Sequence, residues 1–238
     1  MNVVVSIGGS ILVPELDADA VRGYARAIES VAEEHGVAVV VGGGKTARDY
    51  IGVARDLGAN DSMCDYLGID VTRVNARLLI SALEGAYPEP PTSYREAEDA
   101  LADDKVPVMG GMAPGQTTDA VAAVFSEYTD ADLLVYATSV DGVYTGDPRE
   151  DAEASKIDRL TPEELVEIVM QTQMDAGTNS VVDALAAKII ERSRMRTIVL
   201  DGGDPDDIET AVLTGEHAGT DVVDSDVEIQ GALDDYRS

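Results

Sequence analysis

The sequence predicts an α/β fold, a largely parallel sheet covered by helices on both faces. Two observations carry that prediction. Short apolar runs, NVVVSI, VAVVV, DLLVYAT and TIVL, lack the polar alternation of a half-exposed sheet and read as buried strands. Helical stretches separate them, with no internal repeat and no long linker.

The elements follow in order. NVVVSI is a strand running into Gly8, Gly9 and Ser10. Asp17 is a good N-cap for a helix reaching His35, with Gly36 as its stop. VAVVV leads into Gly42, Gly43 and Gly44, and a helix continues through Leu57. A long helical pattern spans about Met63 to Leu83 before the proline-rich YPEPPTS breaks it. Ser93 and Glu96 have capping-box spacing for a short helix. VPVMGG is a strand, and an apolar helix runs from about Asp119 to Tyr128. DLLVYAT is a strand, and SVDGVYTGDPRED is a turn-rich loop with a hairpin. Thr161, Pro162, Glu163 and Glu164 open a helix, with a cap, an N1 proline and first-turn acids. A helix over Val181–Arg194, the strand TIVL, the helix DPDDIETAVL and the strand GTDVV complete the chain.

Composition narrows the classes. At 238 residues and 45% hydrophobic content the chain buries a core with ease. The net charge is −29, from 46 acidic and 17 basic residues dispersed along the chain. Such a surface repels a polyanion, so nucleic acid is excluded as a partner. It also repels itself in dilute salt, and molar salt shortens the screening length to about 3 Å. The composition resembles that of proteins from salt-loving organisms. The single cysteine, Cys64, permits no intrachain disulfide and reads as a packing residue. The chain opens on an apolar strand, and no apolar run has the length of a membrane span, so a cytoplasmic protein is expected.

GGGKT at positions 42–46 ends like a phosphate loop, but position 39 is valine where that motif needs glycine. The loop also fits a loose dinucleotide fingerprint through Gly42, Gly44 and Ala47. Its physical content is a strand, bare backbone N–H groups and a helix start, which together hold anions. Three strands end this way: at Gly8–Ser10, at Gly42–Gly44, and at Gly110–Gly111 with Gly115. In a parallel sheet these ends share the carboxyl edge, where ligands bind. Three such turns predict one site for several phosphates, with the Thr117 and Thr118 hydroxyls beside it.

IGGS, VVVGGGKTAR, DYLGIDVTRVNARLLISAL, GGMAPGQTTDAVAA and TSVDGVYTGDP together resemble the amino acid kinase superfamily, and within it the archaeal-type uridylate kinases. The resemblance runs to at least Arg194. It implies a three-layer αβα sandwich with a central mainly parallel sheet, a single domain over residues 1–238, and a homohexamer. It also implies transfer of the ATP γ-phosphoryl to UMP with Mg2+. UMP would lie on the part spanning about 1–130, and ATP on the part spanning about 131–238. Residue by residue, Gly9, Ser10, Gly44 and Arg48 would face the ATP phosphates. Thr138, Tyr144 and Asp147 would hold the rest of ATP, with Tyr144 near the adenine. Gly43, Asp65, Met112, Ala113, Pro114, Gly115, Gln116, Thr117 and Thr118 would hold UMP, with Asp65 on the ribose hydroxyls. The metal ligands stay unassigned.

The chain departs from the superfamily in one place. A lysine common on the first strand is Ser6 here. Lys45, directly after the glycines, is expected to replace it as the catalytic cation, with Lys188 as the rival. The attacking UMP phosphate is already ionised at neutral pH, so no general base is needed; His35 and His217 need not be catalytic, and His35, at a helix end beside Gly36, reads as structural. Three alternatives differ in class. An isopentenyl phosphate kinase should carry a histidine near the second glycine turn, and none is there. A non-catalytic nucleotide sensor would lack Asp65 and Thr117–Thr118. A dinucleotide oxidoreductase would need its ribose acid at a strand end, whereas Asp61 and Asp65 border a helix.

Overall fold

The computed structural model describes residues 1–146, 153–174 and 181–224. Its elements are β1 (Asn2–Ile7), α1 (Gly9–Leu12), α2 (Ala18–Ala32), β2 (Gly36–Val41), α3 (Gly44–Asp56), α4 (Asp61–Ala82), α5 (Tyr94–Ala102), β3 (Val108–Met109) and α6 (Thr118–Tyr128). They continue as β4 (Leu133–Thr138), β5 (Val143–Tyr144), β6 (Lys156–Ile157), β7 (Arg159–Leu160), α7 (Pro162–Met174), α8 (Ala184–Ser193), β8 (Arg196–Asp201), α9 (Pro205–Leu213) and β9 (Thr220–Val222).

The main sheet has the order β3-β2-β1-β4-β8-β9-β7. Every pairing in it is parallel except β8 with β9. β1 lies inside the sheet between β2 and β4, pairing Val3 with Val37 on one side and with Leu133 on the other. Its alternation splits the core in two, because successive side chains point to opposite faces. Val3, Val5 and Ile7 join one cluster with Ile28, Leu79 and Ile208, from α2, α4 and α9. Val4 joins the other with Val121, Phe125, Leu165 and Ile190, from α6, α7 and α8. The result is a three-layer αβα sandwich. Ser6, on the Val4 side of the strand, is buried at the upper end of the sheet.

Local chemistry explains the helix starts. Asp17, Asn60, Ser93, Thr117, Asp183 and Asp204 each accept a first-turn backbone N–H. Four sequence expectations need correction. The α2 helix ends at Ala32, and Gly36 is instead the first residue of β2, paired with Asn2. The Ser93–Glu96 capping box is half made. Ser93 accepts the Glu96 N–H, but the Glu96 carboxylate turns to the Thr92 N–H and hydroxyl. The complete box is at α7, where Thr161 and Glu164 each accept the other's N–H. The strand expected over VPVMGG shortens to Val108–Met109. The hairpin expected within SVDGVYTGDPRED shifts along the chain: β5 lies in that stretch, but its antiparallel partner is β6, beyond it. No described helix is long and apolar enough to cross a membrane.

Candidate active site

Parallel pairing of β3, β2, β1 and β4 brings their carboxyl ends to one edge, and with them the three glycine turns. The first two turns touch backbone to backbone. A Cβ on Gly9 would lie 2.3 Å from the Gly42 carbonyl oxygen and 2.4 Å from the Gly44 nitrogen. No side chain larger than hydrogen fits there. Gly44 has φ +61, a conformation that favours glycine. The third turn packs on α4, where a Cβ on Gly110 would meet the Thr72 hydroxyl at 2.5 Å.

Two clefts open on this edge. One, of about 340 Å³, is lined by Ser6, Gly9, Ser10, Gly44, Arg48, Asp119, Tyr136 and Thr138, among others. The second, of about 240 Å³, is lined by Asp65, Ile69, Thr72, Gly111, Gln116 and Thr117, among others. Gly43, Gly44 and Thr118 line both and form the wall between them. Two helices start at that wall. The N-cap of α3 is Gly43, with no side-chain cap bond, so the first N–H groups of α3 have no side-chain acceptor. The first residue of α6 is Thr118. Both positive dipole ends therefore favour negative charge at the wall.

The side chains around it are anchored. Arg48 is the cation among the described residues lining the two clefts, and it reaches back from α3 to donate to the Ser10 hydroxyl at 3.2 Å. Asp65 accepts the Gly115 N–H at 2.9 Å, tying the 112–118 loop to α4. Thr117 accepts the Ala120 N–H and donates to the Asp183 carboxylate. Thr138 is engaged with Val140, accepting its N–H and donating to its carbonyl. Tyr144 donates to Asp141 at 2.8 Å.

Placement of the predicted residues is uneven. Gly9, Ser10, Gly44, Arg48 and Thr138 line the larger cleft, and Gly43, Asp65, Gln116, Thr117 and Thr118 the smaller. Met112, Ala113, Pro114 and Gly115 belong to the same loop as Gln116 without lining the cleft, and Met112 packs against the core. Tyr144 lines neither cleft, and Asp147 lies outside the described residues. Lys45 also lines neither. Its side chain is 75% exposed and pairs with Asp49 one turn along α3, at 2.8 Å. Lys188 pairs with Glu191 on the outer face of α8 and is 52% exposed.

The sequence reading missed Asp119. Burial, then the negative charge of Asp183, pushes its carboxyl up from the ordinary 3.8 to about 7. The Tyr136 hydroxyl donates to the Asp119 backbone carbonyl at 2.8 Å. Asp119 sits in the first turn of α6, a common place for an acid, so composition gave no signal. Its neighbour in the fold, Asp183, is far along the chain. The reading also missed Thr72 and Asn75, polar residues buried on α4.

The fold and these clefts define an α/β protein whose glycine turns and two helix starts meet at the carboxyl edge of its sheet. The chain belongs to the amino acid kinase family, whose model matches residues 1–201. It is 58% identical to a uridylate kinase of Haloquadratum walsbyi over 228 residues, 95% of this chain and 95% of that protein. It is 54% identical to a uridylate kinase of Methanococcoides burtonii over 233 residues, 94% of this chain and all of that one. Among solved structures, a uridylate kinase from Archaeoglobus fulgidus superposes with a TM-score of 0.86 at 51% identity, covering 94% of this chain and 100% of that one.

Proposed function

We propose that this chain is a UMP kinase, transferring the γ-phosphoryl group of ATP to UMP to give UDP and ADP. One observation carries the reading beyond the family. Two clefts share a wall made of Gly43, Gly44 and Thr118, and two helices begin at that wall. That is the arrangement for two phosphate-bearing molecules meeting end to end. The relatives at 52–58% identity, all named uridylate kinase, supply the identity of the acceptor.

On this reading the larger cleft takes the ATP phosphates and the smaller takes UMP, in the part spanning about 1–130. Gly9, Ser10, Gly44 and Arg48 surround the triphosphate, and residues beyond about 131, Thr138 and Tyr144 among them, take the rest of the nucleotide. The first N–H groups of α3 meet the phosphoryl group in transit, where negative charge develops. Asp65 fixes the loop that ends in Gln116, Thr117 and Thr118, and its carboxylate edge meets the ribose hydroxyls. Ionised UMP phosphate is its own nucleophile, so alignment and charge cancellation do the catalysis. Lys45 must leave Asp49 to contribute, a rotation that an exposed lysine makes at little cost.

Magnesium fits the residues present. Asp119 offers a hard oxygen ligand at the larger cleft, with Asp183 behind it, and a cation would relieve the repulsion and desolvation that hold its pKa high. One or two carboxylates with substrate phosphates is the usual set for that ion. Bound there, it would neutralise phosphate charge. A homohexamer and a cytoplasmic, salt-loving setting complete the proposal. The test is an ADP-release assay in molar KCl with UMP, CMP, aspartate and isopentenyl phosphate as acceptors. UMP should be used well ahead of the others. Preference for isopentenyl phosphate, or ATP binding with no turnover on any acceptor, would refute it.

A further inference from the structure

We infer that α4 is the ruler that spaces donor and acceptor, and that Thr72 and Asn75 are positioning residues for phosphoryl transfer. The inference rests on the reading of the two clefts as ATP and UMP sites. Three side chains of this one helix hold backbone of the ligand-facing loops. Asp65 takes the Gly115 N–H at 2.9 Å, Thr72 takes the Gly111 N–H at 2.7 Å, and Asn75 donates to the Gly42 carbonyl at 2.8 Å. At 100° per residue, positions seven and ten residues beyond Asp65 fall within about 80° of one another on the helix surface and about 15 Å along it. One face of one rigid element therefore sets the distance between the second glycine turn and the acceptor loop.

The burial of the two polar residues argues that they are there for this. Thr72 is 6% exposed and Asn75 is 2% exposed, in a helix interior where apolar residues pack as well. Thr72 is used on both sides. Its hydroxyl donates to Ile69 O at 2.6 Å while accepting from Gly111, and its methyl lies 3.4 Å from where a Cβ on Gly43 would be. It stands between the second and third turns and lines the smaller cleft. Asn75 grips the carbonyl of Gly42, the atom against which Gly9 of the first turn is pressed. Through it, α4 reaches the phosphate turns of both β1 and β2.

The two residues should separate kinetically. Thr72 places the acceptor loop, so its loss should appear in UMP binding. Asn75 places the turns at the wall, so its loss should appear in turnover, as misalignment of two bound substrates. Steady-state kinetics on the whole chain in molar KCl, varying each substrate, test this with Thr72→Val, Thr72→Ser and Asn75→Ala. Thr72→Val should raise KM for UMP by about tenfold, the loss expected from stranding one buried N–H, with KM for ATP within about twofold. Thr72→Ser keeps the hydroxyl and should return KM for UMP to within about threefold of the parent. Asn75→Ala should lower kcat by about tenfold or more, with both KM values within about threefold. Should Asn75→Ala fail to fold, the Thr72 pair decides alone. An unchanged KM for UMP in Thr72→Val, an equal rise in both KM values, or no restoration by serine would overturn the inference while leaving the UMP kinase reading intact. A parent chain that transfers nothing to UMP would overturn both.

Discussion

Replacing Asp119 by asparagine should stabilise the protein while disabling it, and the gain should depend on pH. Burial, then the Asp183 charge, opposes ionisation of the Asp119 carboxyl and pushes it up from the ordinary 3.8 to about 7. The sign follows from linkage. With the folded pKa above the unfolded one, the folded state binds the proton more tightly, and stability falls as pH rises from about 4 to about 7. Below that window both states are protonated and the residue costs nothing. Above it the whole shift applies, about three units or about 4 kcal/mol. At pH 5 only the smaller part of that cost applies, about 1–2 kcal/mol. Asparagine has the same shape and no charge. For a chain of this length each kcal/mol moves the midpoint by about 2–4 °C. Asp119→Asn should therefore melt roughly 10 °C higher at pH 8 and about 4 °C higher at pH 5. Thermal melts at both pH values, in the same molar KCl, read the difference directly. In the kinase assay the variant should lose about a hundredfold or more in kcat, as for removal of one preorganised electrostatic group. An equal gain at the two pH values, or none at pH 8, would refute the assignment of a strained carboxylate at the cleft.

Three further outcomes are expected. Gly9→Ala should abolish turnover, because its Cβ would lie 2.3 Å from the Gly42 carbonyl and must push the two glycine turns apart. Retained kcat would show that the contact is not tight in solution. Lys45→Met should lower kcat by about a hundredfold with small changes in both KM values, while Lys188→Met should be near normal; the reverse pattern would pass the cationic role to Lys188. The dispersed −29 charge should make the melting midpoint rise steeply between about 0.1 M and several molar KCl, and equal midpoints would contradict that.

What the sequence displayed was whatever has a local cause. The four central strands are apolar runs, and most helix starts carry a side-chain cap, so both were legible residue by residue. The glycine turns were legible too, because a glycine that must lie against another backbone leaves its mark in the sequence. Other features depend on groups distant in the chain. Gly36 looked like a helix stop but is recruited into β2 by pairing with Asn2. The two-residue strands β6 and β7 exist only through their partners. In the candidate site, Asp119 gains its character from Asp183 and from burial, and Thr72 and Asn75 from loops packed on α4. None of these signals lies within a window of one helix. Lys45 shows the opposite case. Asp49, four residues on, was in plain view as an ion-pair partner that draws the ammonium away from the clefts.

On the proposed function, the two adjoining clefts divided by Gly43, Gly44 and Thr118 hold the two substrates with their phosphates meeting at the wall. The most direct measurement is a calorimetric titration with adenosine and uridine joined through a pentaphosphate, in molar KCl, alone and in competition with each substrate. One molecule should bind per chain, displaced by ATP and by UMP alike, and held at least about a hundredfold more tightly than ATP, as expected when two sites are engaged at once. Affinity no better than that of ATP, with UMP still binding to the loaded protein, would contradict it.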